Sequence, residues 1–229
     1  ARPLLEGPVG YYVVNNDRMV QLSNGGLVIP SARHNLKGEP FTSKGRALCF
    51  LSDDAGATWR ISSTIIDPPE GAGSAGLQEP AVVELQDGRL LMLCRTGGGC
   101  QYQSWSDDGG DTWLPAEPTD TLSPVSPASI ERVPGTGALL LVWNDHSGEY
   151  AGLGEKRTPL AVAVSTDEGQ SWTSRIILED NPDGWYCYTA IAFVGDHILL
   201  GHCAGDRREN NGLALTQVLR LPLSHLALP

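Results

Sequence analysis

"SDDGGDTW", residues 106–113, holds three carboxylates, two glycines, a threonine and a tryptophan in one short stretch. A calcium loop would need oxygen ligands at alternate positions and a closing Glu. Here Asp107 and Asp108 are adjacent and no Glu closes the stretch. A catalytic pair is no better served, because neighbouring residues on a strand or turn point apart. The stretch is also not alone. "SDDAGATW" ends at Trp59 and "STDEGQSW" at Trp172, so the tryptophans are 54 and 59 residues apart. Recurrence at such a period marks architecture, propellers included, in place of a single active site. The residue types suit a hairpin turn. Gly takes positive φ, Ser and Asp side chains bond nearby backbone N–H groups, and Trp pins the turn with its apolar surface.

A second motif runs in phase with the first. "RMVQLSNGGLVIPSARH" (18–34), "PAVVELQDGRLLMLCRT" (80–96), "SIERVPGTGALLLVWND" (129–145) and "TAIAFVGDHILLGHC" (189–203) each read as strand, Gly turn, strand. A third strand follows each of the first three and leads into a Trp turn. The fourth is followed by "LALTQVLRLPLSHL" (213–226), which reads as a closing pair of strands. No convincing amphipathic helix of about 12 or more residues is evident. A β-sandwich would not explain two motifs repeating in step. The expected fold is therefore all-β, a propeller of about four blades at approximately 10–60, 61–114, 115–173 and 174–229.

Bulk properties narrow the partners. A formal charge of −11 disfavours nucleic acid, which needs Lys/Arg clusters, yet leaves room for a local Arg cluster around a small anion. No apolar run reaches membrane-spanning length. The opening "ARPLLEGPVG" (1–10) lacks the basic and apolar regions of a signal peptide. The five cysteines include no C-x-x-C pair, so neither zinc nor thioredoxin chemistry is supported, and no cofactor or metal is assigned.

Ser-x-Asp-x-Gly-x-(Thr/Ser)-Trp is the Asp-box or BNR repeat. Its alternation with "DGRLL"-type hairpins resembles the sialidase (neuraminidase) superfamily, a six-bladed β-propeller, over almost the whole chain. In that family the box is structural. Equivalent slots of successive blades converge on one end of a propeller channel, and here the slot before the inner strand holds Asn16, Glu79, Ser126 and Tyr188. The resemblance implies roles for several of these. "EPAVVELQDGRLLMLCR" (79–95) matches the family segment in which Glu79 would polarise the nucleophile and Arg95 would hold the substrate carboxylate. "KRTPLAVAVSTDEGQSW" (156–172) places Arg157 as a second clamp residue. "YCYTAIAF" (186–193) places Tyr188 as nucleophile. Asn16, Asp17 and Arg18 are possible substrate contacts at the corresponding end of the first unit.

The chemistry explains these residue types. A sialic acid carries a carboxylate on its anomeric carbon, where an attacking Asp or Glu would meet like-charge repulsion. A Tyr deprotonated by Glu as it attacks avoids this. Arginines fix the carboxylate in a planar fork that Lys cannot reproduce. No Asp here lies in a motif matching the family's acid/base residue. That residue is expected in preceding blades, with the propeller completed by N-terminal blades or by oligomerisation. The resemblance favours a secreted or periplasmic site of action. Hydrolysis of a terminal acidic sugar is the leading expectation. A non-catalytic glycan-binding propeller stays open, as does a diverged hydrolase or lyase on another anionic sugar.

Overall fold

The computed structural model describes residues 8–226. Residues 1–7 and 227–229, and with them most of the "ARPLLEGPVG" segment, lie outside the described residues. The chain divides after Asp120 into two units.

The first unit carries two antiparallel sheets. β1 (Gly10–Val13), β2 (Val20–Gln21), β3 (Leu27–Leu36), β4 (Arg46–Ser52) and β5 (Arg60–Ile61) make one, in the order β1-β3-β4-β5 with β2 also on β3. Its inner strand is split: β2 pairs the start of β3 and β1 pairs its end. β6 (Gln78–Glu84), β7 (Leu90–Arg95), β8 (Cys100–Ser106) and β9 (Glu117–Leu122) form the second as a simple meander. The second unit repeats the plan. β10 (Ser129–Arg132), β11 (Leu139–Asn144), β12 (Leu160–Ser165) and β13 (Thr173–Glu179) form one meander. β14 (Gly184–Val194), β15 (His197–Asp206) and β16 (Thr216–Pro222) form the other. Helix among the described residues is confined to three 3₁₀ turns, at Glu70–Ala72, Gly148–Tyr150 and Leu223–His225.

These strands follow from the side-chain pattern. "LLLVWN" and "LAVAVS" are buried at every position, as β11 and β12 are central strands covered on both faces. The outer strand β9, "EPTDTL", alternates between exposed and half-buried residues, as a strand with one wet face should. The core of the first unit packs Leu22, Val28 and Leu51 against Leu77, Leu90, Met92 and Trp113. That of the second packs Leu140, Val142 and Val162 against Tyr186, Ile198 and Leu200. Two details differ from the sequence pattern. The outer strand of each of the first three sheets follows its Trp turn, so the sheets run on to Ile61, Leu122 and Glu179. And "LALTQVLRLPLSHL" supplies one strand, β16, and a 3₁₀ turn where two strands were expected, because residues 213–215 are an exposed loop.

The three boxes share one hydrogen-bond scheme. Ser52, Ser106 and Ser165 each donate from Oγ to the box Asp two residues on, at 2.9, 2.9 and 2.7 Å. The same hydroxyls accept from Gly56, Gly110 and Gly169 N–H at 2.9, 2.9 and 2.8 Å. Asp54, Asp108 and Asp167 then accept from both the N–H and the hydroxyl of Thr58, Thr112 and Ser171. Two consecutive residues have positive φ in each turn, Ala55–Gly56, Gly109–Gly110 and Glu168–Gly169, which explains the invariable second-position Gly. Trp59 and Trp113 donate from Nε1 to the carbonyls of Gly56 and Gly110, at 3.1 and 2.8 Å. The third carboxylate of the second box has a separate task. Asp111 accepts from Ser63 N–H and Oγ, both at 3.0 Å, and pairs with Arg60, so it ties the second sheet to the first.

Candidate active site

Glu79 and Tyr188 occupy the same local geometry in two different sheets. Gln78 pairs with Arg95 and pairing resumes at Ala81 with Leu93, so Glu79 and Pro80 together oppose Cys94. Cys187 pairs with Cys203 and pairing resumes at Ala190 with Gly201, so Tyr188 and Thr189 together oppose His202. Each is a β-bulge whose first residue has positive φ, +42° at Glu79 and +58° at Tyr188. A Gly ordinarily takes this place, and a larger residue there costs of order 1–3 kcal/mol. A bulge also breaks the two-residue side-chain alternation and re-aims what it carries. Two strained bulges presenting a Glu and a Tyr are therefore candidates for function.

In the first unit the bulge brings Glu79 to Arg95. Arg95 Nη1 donates to Glu79 Oε2 at 2.6 Å, and the two side chains are 15% and 11% exposed. Arg95 Nε is buried and has no hydrogen-bond partner among the described residues. Gln78, the strand partner of Arg95, donates from Nε2 to Ser43 O at 2.6 Å and fixes the approach to the bulge. Asn16, Asp17 and Arg18 lie between β1 and β2, where Asp17 has φ +56°. Asn16 and Asp17 are exposed, whereas Arg18 is buried.

In the second unit Arg157 and Tyr188 meet. The Arg157 guanidinium lies 5.3 Å from the centre of the Tyr188 ring and 5.1 Å from that of Trp185. Arg157 is almost fully buried. Burial alone would make it easier to deprotonate, but the Cys187 thiol and the Tyr188 side chain, to which it donates, more than offset this and hold it charged. Burial pushes the Cys187 thiol up to about 11, with Arg157 pulling the other way. Arg157 O accepts from Tyr186 N–H at 2.9 Å, which docks the segment before β12 onto β14. Ser129 Oγ donates to Thr189 O at 2.6 Å and pins the bulge from β10.

Sequence reasoning did not single out Ser129, Trp185 or Arg207. Arg207 covers Trp185 at 4.8 Å, and both line a cavity of about 290 Å³ with Asn210, Gly212 and Leu213. The "GW" directly preceding "YCY" was the available signal for Trp185. The slot of the third sheet is used for structure: Ser126 and Asn144 are buried, and Asp145 binds Arg175 Nη1 at 2.6 Å and Ser147 N–H at 2.9 Å. Among the described residues no cluster of three or more His, Cys, Asp or Glu is placed to hold a metal ion.

A family model described as "BNR repeat-like domain" matches residues 6–200. The chain is 28% identical to the anhydrosialidase of Macrobdella decora over 198 residues, 79% of this chain and 25% of that protein. It is 26% identical to a sialidase of Micromonospora viridifaciens over 183 residues, 74% of this chain and 26% of that one. The chain thus spans about a quarter of the length of these relatives. Its fold is that of the Hadza microbial sialidase Hz136, with a TM-score of 0.73 at 19% identity, covering 94% of this chain and 39% of that structure. The four sheets are accordingly blades of a sialidase-type β-propeller.

Proposed function

This chain belongs to the BNR repeat-like domain family, and on that premise we propose that it supplies the Tyr/Glu pair and two arginines of a site that hydrolyses a terminal acidic sugar, a sialic acid or a close analogue. The observation that carries the reading is the matched pair of bulges, each with a non-Gly residue at positive φ and each beside one arginine. In this reading Tyr188 attacks the anomeric carbon and Glu79 takes its phenolic proton. Arg157, stacked on the Tyr188 ring, stabilises the oxygen as its charge develops. Arg95 and Arg157 bind the sugar carboxylate. The acid/base group that protonates the leaving oxygen is not assigned to a residue of this chain.

The ion pair between Arg95 and Glu79 favours one rival. In a glycan-binding module without turnover, Glu79 would serve only as the counter-ion of Arg95. Kinetics on the full-length protein that carries this chain separate the two. With a fluorogenic α-sialoside, Tyr188→Phe and Glu79→Gln should each lower kcat by at least about 100-fold while circular dichroism stays unchanged. Binding of the sugar with no turnover by the parent protein would establish the rival. Full turnover by Tyr188→Phe would remove Tyr188 as nucleophile.

A further inference from the structure

All five cysteines are free thiols, and two of them face each other. Cys187 on β14 and Cys203 on β15 are direct register partners, the last regular pair before the bulge that carries Tyr188. Partners in an antiparallel ladder project from the same face of the sheet. The neighbours define the type of pair. Tyr186 N–H turns away from β15 to Arg157 O, and Ala204 N–H turns away from β14 to Leu215 O. Backbone groups alternate along a strand, so those of Cys187 and Cys203 point toward each other in a hydrogen-bonded pair. The Cα atoms of such a pair are about 5.5 Å apart, inside the span of about 4.4–6.8 Å that a disulfide bridges.

Access distinguishes this pair from the others. Cys94 lies near enough to raise the Cys49 thiol, but both have no exposed surface, and their strand partners are Pro30 and Tyr102. Cys203 is partly exposed, while Cys187 is buried behind it against Arg157. We propose that Cys187 and Cys203 are a disulfide-forming thiol pair, a site of covalent oxidation by small-molecule disulfides next to Tyr188. The Cys203 thiolate attacks the reagent disulfide, forms a mixed disulfide and expels one reagent thiolate. The Cys187 thiolate, formed beside the Arg157 guanidinium, then attacks the Cys203 sulfur and expels the second. Two protein thiols lose two protons and two electrons, and the reagent disulfide is reduced to two thiols. The product cross-links the strands at the foot of the bulge.

The test uses the 229-residue chain and oxidised glutathione in mildly alkaline buffer. Free thiols are counted after denaturation. The chain is then mapped without reduction using chymotrypsin, which cuts after Phe193 between the two cysteines. Two of the five thiols should disappear, a Cys187–Cys203 linked peptide should form, and dithiothreitol should restore both. Cys187→Ser should instead trap glutathione on Cys203, and Cys203→Ser should keep all its remaining thiols. A parent chain that retains glutathione on Cys203 without linkage would overturn the proposal. So would linkage to a different cysteine, or no reaction in either the parent or Cys187→Ser. The parent measurement stands by itself if a serine variant fails to fold.

Discussion

Glu79 and Arg95 hold each other across the mouth of a β-bulge, Oε2 to Nη1 at 2.6 Å, with little of either side chain exposed. Truncating Arg95 to Leu removes the ion-pair partner of a mostly buried carboxylate. That should destabilise the chain by about 2–4 kcal/mol, somewhat below the cost for a fully buried pair. Glu79→Gln keeps an acceptor for Arg95 and should cost markedly less. Urea unfolding of both variants measures the difference, and equal losses would mean that a neutral hydrogen bond recovers nothing of the ion pair.

Arg157 stacks on two rings with a planar guanidinium. Arg157→Lys keeps the charge and loses the plane and the fork. In the full-length protein it should weaken binding of an acidic sugar by roughly 1–3 kcal/mol, read by calorimetry. Unchanged affinity would exclude Arg157 from the clamp.

The box aspartates give the fold an acid-sensitive component. Hydrogen bonds from the Thr58 backbone, then from the Thr58 and Ser52 side chains, lower Asp54 to about 2. At Asp108 burial pushes upward, but bonds from Thr112 and Ser106 outweigh it and the net direction is down. Asp167 is lowered chiefly by the Ser171 side chain. A carboxyl with a folded value below its unfolded one stabilises fully above the unfolded value and loses that contribution as pH falls to the folded one. Thermal stability should therefore drop between about pH 4 and pH 2. Asp54→Asn should make that drop shallower, and an unchanged acid profile would contradict the assignment.

Two glycines with positive φ should respond differently to Ala. A Cβ at Gly76 would lie 2.5 Å from Gly45 O and 2.9 Å from Gly45 N, where the first two sheets make a parallel bridge. Gly76→Ala should cost about 1–3 kcal/mol from overpacking, in addition to its backbone strain. Gly88, at φ +86° with nothing within 4 Å of the added carbon, carries the strain alone. Gly88→Ala should cost only about 1–2 kcal/mol. Chemical denaturation ranks the pair, and an equal cost would show that the segments at Gly45 and Gly76 separate freely.

The sequence by itself determined the strands, the turns and their repetition. Those features depend on contacts a few residues apart: Ser106 to Asp108, Asp108 to Thr112, Trp113 to Gly110. Alternating and fully apolar runs likewise betray half-buried and central strands. Glu79, Arg95, Arg157 and Tyr188 were legible as candidates through their phase within the repeats and the family pattern. Only the tertiary structure decided what each is held against. The bulges at Glu79 and Tyr188 arise from the register between two strands, which depends on how both settle against the core. The choice of Glu79 as partner for Arg95 depends on the pairing of β6 with β7, and the placing of Arg157 over the Tyr188 and Trp185 rings depends on how the segment before β12 meets β14. Asp111 makes the same distinction within the stretch that opened the sequence. Its neighbour Asp108 closes a local turn that eight residues specify, whereas Asp111 binds Ser63 and Arg60 on another sheet, a pairing set by packing between segments about 50 positions apart.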